Sequence, residues 1–375
     1  MAKVTFDNTN NQFFRSLRLS VEAYFKERGL SKTGGWKLYH KALVLFPLGI
    51  GLYTVLLLDL LPAFPALLAC GLLGCVISSL GFNVMHDACH GSYSNKKWVN
   101  NVMGLTMNVL GGNAFFWKQK HNIIHHTYTN IEGLDDDIAQ SKWLRQSPSQ
   151  AWMKVHRYQH VYLTLAYGLS LMHWVAFRDF VKYFTGRVHN TPLPPMDFAE
   201  HLTFWISKAF YYFVYIIFPI MVLGPLPWLA GYVTMNFVAG VVLSYTFQLA
   251  HAVEGPEFES VGDEDRVIGT EWAIHQLRTT ANFAPRNRFV NWFVGGLNYQ
   301  VEHHLFPRIS HIHYPALSAI VQEHCRRFGV PYHSFPTVSS AIASHVRTMK
   351  RLGQGVTQLS YVTTNAGRPV LATAE

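Results

Sequence analysis

Apolar and polar positions fall in long blocks along this chain, and the blocks predict its elements. Residues 1–41 are polar to amphipathic, with Phe13, Leu17, Val21 and Phe25 recurring at helical spacing. This pattern predicts a helix that lies on a membrane interface or packs on the body of the protein. From Ala42 to Leu58 there is no charge; Asp59 follows, and Leu60 to Met85 is again uncharged. A helix crosses a bilayer with about 20 apolar residues. The block therefore reads as two spans, about 42–61 and 63–85, joined by a turn through Pro62 and Pro65. Ala209 to Val253 repeats the design without Asp, Glu, Lys or Arg, and Gly224-Pro225-Leu226-Pro227 divides it into spans at about 205–224 and 228–250. Neither hairpin turn contains Lys or Arg, so the charge rule for membrane proteins places the turns outside and both termini in the cytoplasm.

Two further apolar stretches, Val99–Trp117 and Val161–Phe177, lie between the hairpins. The first carries Asn100, Asn101, Asn108 and Asn113 and is flanked by basic residues. Both are expected as helices at the interface or within the cytosolic body. The stretch from Glu254 to about Leu352 is mixed and globular in character, and 353–375 is a polar tail. The expected fold is all-α and membrane-integral: four transmembrane helices in two hairpins under a helical cytosolic cap, with 42–352 as the main domain.

Composition agrees. Charged residues make up 14% of the 375 positions, against roughly 25% in soluble proteins. The net charge of +9 is dispersed without a long basic run, which disfavours nucleic acid as a partner and fits anionic headgroups. The 4 cysteines contain no C-x-x-C, which disfavours a zinc ribbon and a disulfide framework. The first residues lack the apolar core of a signal peptide. Histidine stands out, with 20 residues against 22 for Asp and Glu together.

Eight of these histidines are grouped. His86 and His90 stand in H-D-A-C-H, where i and i+4 share a helix face. His121, His125 and His126 stand in H-N-I-I-H-H; in an α-helix His126 is turned about 100° from His125, so this trio is expected to serve two ions. His303 and His304 follow Gln300 in Q-V-E-H-H. His251 closes the fourth apolar run, a position where an ionisable residue marks function. A structural zinc takes four ligands and a catalytic zinc three, so eight imidazoles suit two ions, of Fe, Cu, Ni or Zn. The other histidines, His311 among them, are expected to be packed or solvent-facing.

These three clusters, in order and between matching hairpins, resemble the histidine boxes of the membrane fatty acid desaturases over about His86 to Pro315. The resemblance implies that His86, His90, His121, His125, His126, His303 and His304 ligate two iron ions, with His251 as an additional ligand. Gln300 stands where a histidine is usual and is expected to ligate weakly or to hold a water on iron. That substitution resembles the front-end subgroup, which acts between an existing double bond and the carboxyl end. The implied reaction is O2-dependent desaturation of a long-chain acyl-CoA or acyl-lipid. No H-P-G-G haem motif precedes the first span, so electrons are expected from a separate donor of cytochrome b5 or ferredoxin type with its reductase. Asp87, Asp137 and Glu302, with Asp135 and Asp136, are expected to orient imidazoles through their second nitrogen. Trp117, Trp272, Thr279, Thr280 and Asn282 are expected along an acyl tunnel, and Lys118, Lys120 and Arg288 near a headgroup. His275 lies in a segment typical of the family and is left out of the ligand set.

Two other chemistries fit parts of the pattern. A membrane hydroxylase or ketolase would use the same metal and insert oxygen. A zinc-dependent membrane hydrolase or receptor would need only three or four of the histidines.

Overall fold

The computed structural model describes residues 4–138, 141–260, 267–356, 359, 361–363 and 369–371. Among them, four helices are long and apolar enough to cross a membrane: Trp36–Leu57, Ala63–His90, Phe198–Leu223 and Pro225–His251. Three of them overrun the uncharged stretches, because a helix ends where its backbone is broken rather than where its side chains turn polar. Asp59 at φ 51° and Pro62 stop the first and start the second. The third starts at a capping box, in which Asp197 Oδ1 accepts from Glu200 N at 2.8 Å and Glu200 Oε2 accepts from Asp197 N at 3.0 Å. Gly224 at φ 82° and Pro225 at the first helical position separate the third from the fourth. The overrun brings Lys41 into the first span helix and Lys208 into the third, both buried.

The second and fourth spans meet backbone to backbone. A Cβ on Gly74 would lie 2.4 Å from the Met235 carbonyl oxygen; the fourth span meets the helix Gln159–His173 as closely, a Cβ on Gly240 lying 2.6 Å from the Tyr167 carbonyl oxygen. Small residues at such crossings let helices approach without a solvent-driven core. Large apolar side chains such as Ile50, Phe64, Leu68, Met221 and Leu226 point outward and are exposed, as suits a lipid-facing surface.

The amphipathic helix Gln12–Glu27 buries Phe13, Leu17, Val21 and Phe25 against Ala273, Leu277, Leu317 and Val321. Of the two expectations for it, the structure shows packing on the protein body. Val99–Trp117 is three short helices broken at Gly111, whose φ of 94° and approach to the Tyr211 ring leave no room for a side chain. Val161–Phe177 belongs to a longer helical segment, residues 159–185, that exposes Val161, Leu165, Leu169, Phe177, Val181 and Phe184 along one side. The remainder is helices, loops and short strand pairs, such as Ala281–Phe283 parallel to His333–Phe335. Most of the expected polar tail lies outside the described residues.

Four described stretches are wound as π-helix; besides Trp174–Arg178 and Phe213–Ile217, two lie nearer the histidines, Gly81–His86 and Lys118–His125. Closing bonds from i to i+5 widens the turn, and such turns collect at functional sites. These last two run into the histidine clusters.

Candidate metal centre

All eight grouped histidines are buried, none more than 8% exposed. They come from four places: the foot of the second span, the widened helix after Trp117, the foot of the fourth span and the short helix Gln300–Leu305. Two sets can each hold an ion. Ligand atoms of His86, His90, His121 and His303 lie within 4.8 Å of one another, and so do those of His125, His251 and His304. His126 sits between the sets, its ring 4.6 Å from that of His303 and 4.5 Å from that of His304, with Nε2 3.2 Å from His121 Nε2. The α-helical expectation placed His121 and His125 together with His126 apart. The structure keeps His121 and His125 together, their rings stacked at 5.3 Å, but brings His126 as close to His121 and puts His121 and His125 in different histidine sets, because the widened turn makes residues 125 and 126 straddle the direction of His121. His121 and His125 also share a third grouping with Asp137.

The ring nitrogens are sorted. Nδ1 of His125 faces Asp135 Oδ2 at 3.0 Å; Nδ1 of His251 donates to the Thr279 carbonyl at 3.2 Å. Nδ1 of His303 meets the Tyr314 hydroxyl at 3.1 Å, and Nδ1 of His304 meets Gln276 Oε1 at 2.9 Å. Nε2 of His86, His90, His251, His303 and His304 is buried with no hydrogen-bond partner among the described residues. Five orphaned nitrogens in one site carry a large desolvation penalty, which coordination removes. The donor set therefore fits metal ions: each engaged Nδ1 fixes the tautomer that presents Nε2.

Electrostatics point the same way. Burial, reinforced by neighbouring imidazoles, holds His121, His126, His303 and His304 well below the ordinary histidine range, so they are neutral and able to ligate. At His125 burial also pulls downward, but the Asp135 and Asp137 carboxylates together outweigh it and the net direction is up.

The expected orienting acids are placed differently from one another. Asp87 Oδ1 is 3.9 Å from His86 Nδ1 but 3.0 Å from His311 Nδ1. Asp137 pairs with Lys120 at 2.6 Å and reaches His125 Nδ1 at 3.4 Å. Glu302 orients no imidazole: its carboxylate accepts from Asn282 Nδ2 and the Tyr332 hydroxyl, each at 2.8 Å. Successive helical residues point about 100° apart, which turns Glu302 away from His303. Burial pushes the Glu302 carboxyl up to about 7. Gln300 is buried, with Nε2 unpartnered. His275 points away, its Nε2 donating to the Thr129 carbonyl at 2.8 Å. Sequence reasoning missed Gln276, Thr129 and Tyr314 and expected His311 to be packed or solvent-facing; no spacing rule marks any of the four.

A cavity of about 820 Å³ abuts the centre. Its inner wall includes His121, His125, His251, Trp117 and Phe247, and its outer part includes the exposed Trp143, Leu165 and Leu169. Of the expected tunnel residues only Trp117 lines it. Trp272 instead donates to the His126 carbonyl at 3.1 Å, Asn282 holds Glu302, and Thr279 and Thr280 are buried behind the histidines. These four lie beyond the ligand shell from the cavity because they follow the fourth span on the cap side. Lys120 lines the cavity but is committed to Asp137; Lys118 and Arg288 do not line it.

Residues 60–336 match the sequence model described as fatty acid desaturase. The chain is 36% identical to the sn-1 linoleoyl-lipid 6-desaturase of Arthrospira platensis over 94% of its own length and 95% of that protein. It is 37% identical to the protein of the same name from Synechocystis sp. over 91% and 96% of the two chains. It is 31% identical to the acyl-lipid (8-3)-desaturase of Physcomitrium patens, over 92% of this chain and 73% of that one.

Proposed function

The chain belongs to the fatty acid desaturase family, and from that premise we propose that it desaturates the acyl chain of a membrane lipid at a two-iron centre, using O2. The observation that carries the reading is the convergence of seven buried imidazoles into two sets with an eighth, His126, between them, and with five Nε2 atoms left without a partner among the described residues. Iron with O2 supplies the oxidant that an unactivated C–H bond requires, which acid–base groups and redox-inert zinc do not. Two hydrogens leave adjacent methylenes; two electrons and two protons from a separate donor balance the reduction of O2 to two waters.

The chain's own residues do the rest. Asp135, Gln276, Tyr314 and the Thr279 carbonyl hold imidazoles in place through Nδ1. The cavity seats the acyl chain with its reacting carbons beside His121, His125 and His251, while Trp117 and Phe247 keep water away. Its outer part is apolar and exposed at Trp143, Leu165 and Leu169, continuous with the exposed side of residues 159–185. An acyl chain can thus enter from the bilayer with its headgroup left at the surface. This favours an acyl-lipid over an acyl-CoA, in line with the names of the relatives. Those names and Gln300 support front-end regiochemistry. The cap, centre and termini are assigned to the cytoplasmic side by the distribution of Lys and Arg.

The test is expression in a host lacking polyunsaturated lipids but supplying an electron donor and linoleate. Two irons per chain and a new acyl species lighter by two hydrogens are expected. One zinc per chain with unchanged lipids overturns the proposal, and a product heavier by one oxygen replaces desaturation with hydroxylation.

A further inference from the structure

Lys41 lies at the foot of the first span and is only 5% exposed, where a lysine is rarely found without partners. Its Nζ donates to Asn83 Oδ1 at 2.7 Å and to the Trp292 carbonyl at 3.4 Å, and lies 2.8 Å from His311 Nε2. All three ammonium hydrogens are thereby used. An ammonium only donates, so His311 Nε2 accepts and the imidazole proton sits on Nδ1. That nitrogen donates to Asp87 Oδ1 at 3.0 Å. The other Asp87 oxygen accepts from Ser310 Oγ at 2.7 Å and from the His311 backbone N–H at 3.4 Å. Asp87 Oδ1 then stands 3.9 Å from His86 Nδ1, and among the described residues neither His86 nitrogen has a hydrogen-bond partner.

Donation runs from Lys41 through His311 and ends on Asp87, whose carboxylate also faces the side of His86 that points away from the histidine set. The other set is built differently: His125 meets Asp135 directly. Binding a metal through His86 Nε2 leaves its proton on Nδ1, next to a carboxylate already held by two neighbours.

We propose that Lys41 and His311 are positioning residues that hold Asp87 against His86 and so set the metal affinity of the His86, His90, His121 and His303 half of the centre. The inference rests on the two-metal reading above. It departs from a plain structural role for the buried Lys41, His311 and Asp87 chain, which would steady the helices and leave the two halves equal.

The experiment titrates the metal-free, full-length protein in detergent with cobalt(II), whose visible absorption reports imidazole coordination, and records the unfolding midpoint of each metal-free variant. The wild type is expected to take up two cobalt ions. Lys41→Met and His311→Leu are expected to weaken one site ten- to a hundredfold and leave the other unchanged, the usual size of a change behind a ligand. His311→Asn, which keeps an N–H toward Asp87, should restore most of the loss. Equal weakening of both sites, unchanged affinity at both, or no difference between His311→Asn and His311→Leu overturns the proposal. Should Lys41→Met fail to fold, the two His311 variants decide. A wild type that takes up no cobalt is a separate result: it removes the two-metal reading and this inference with it.

Discussion

Gln276 Oε1 lies 2.9 Å from His304 Nδ1, and the Thr129 hydroxyl approaches the same nitrogen at 3.2 Å while donating to Gln276 Oε1 at 2.9 Å. One amide oxygen thus fixes the imidazole's tautomer, and a threonine fixes the amide. Gln276→Leu removes the acceptor and should weaken metal binding at the His125, His251 and His304 set by roughly ten- to a hundredfold. Metal analysis of the purified variant should show one ion per chain in place of two.

Cavity shape should govern turnover separately from metal content. Ser244 lines the cavity on the same helix as Phe247 and His251. Ser244→Phe fills space that an acyl chain needs. It should lower conversion of linoleate by about tenfold or more, since pockets discriminate on single methylenes by that much. Iron per chain should stay at the wild-type value; a parallel loss of iron would show that the residue acts on the centre.

The close crossings predict a graded stability series. Gly240→Ala drives a methyl group into the Tyr167 and Gly168 carbonyls, 2.6 and 2.8 Å away. Overpacking of this kind costs about 1–3 kcal/mol, which should lower the thermal unfolding midpoint in detergent. Gly51→Ala is the control: nothing lies within 4 Å of its Cβ position, and the midpoint should hold or rise.

Acid should destabilise the cap. His345 donates from Nδ1 to the Ala252 carbonyl at 2.6 Å, and Nε2 accepts from the Tyr167 hydroxyl at 2.9 Å. Burial pushes this histidine down to about 4. The folded value is below the unfolded one, so its contribution is complete above about pH 6.5 and is lost as pH falls toward 4. At about 1.4 kcal/mol per unit the loss approaches about 3 kcal/mol. His345→Gln should flatten that part of the curve of unfolding midpoint against pH. His275 and His333, also pushed down to about 4, should keep the rest.

The spans and the clusters were legible because both are local patterns. A run of apolar residues declares a membrane helix by composition alone, and histidines four apart declare a shared face by helical repeat. Helix ends were less legible. Trp36 and Phe198 begin their helices among charged residues, where only the capping geometry marks the boundary.

The sequence by itself determined the number of long apolar helices and showed eight grouped histidines of a kind able to bind metal. Only the tertiary structure decided how they divide. His303 and His304 are neighbours in one box, yet they join different sets, because adjacent positions on a helix point about 100° apart. Gln276, Tyr314 and His311 reached the centre from chain positions with no spacing signal. The cavity, too, took its walls from segments far apart in sequence. Local rules govern which residues can ligate. Which nitrogens face inward, and what holds them there, depends on contacts that exist only when distant parts of the chain are packed together.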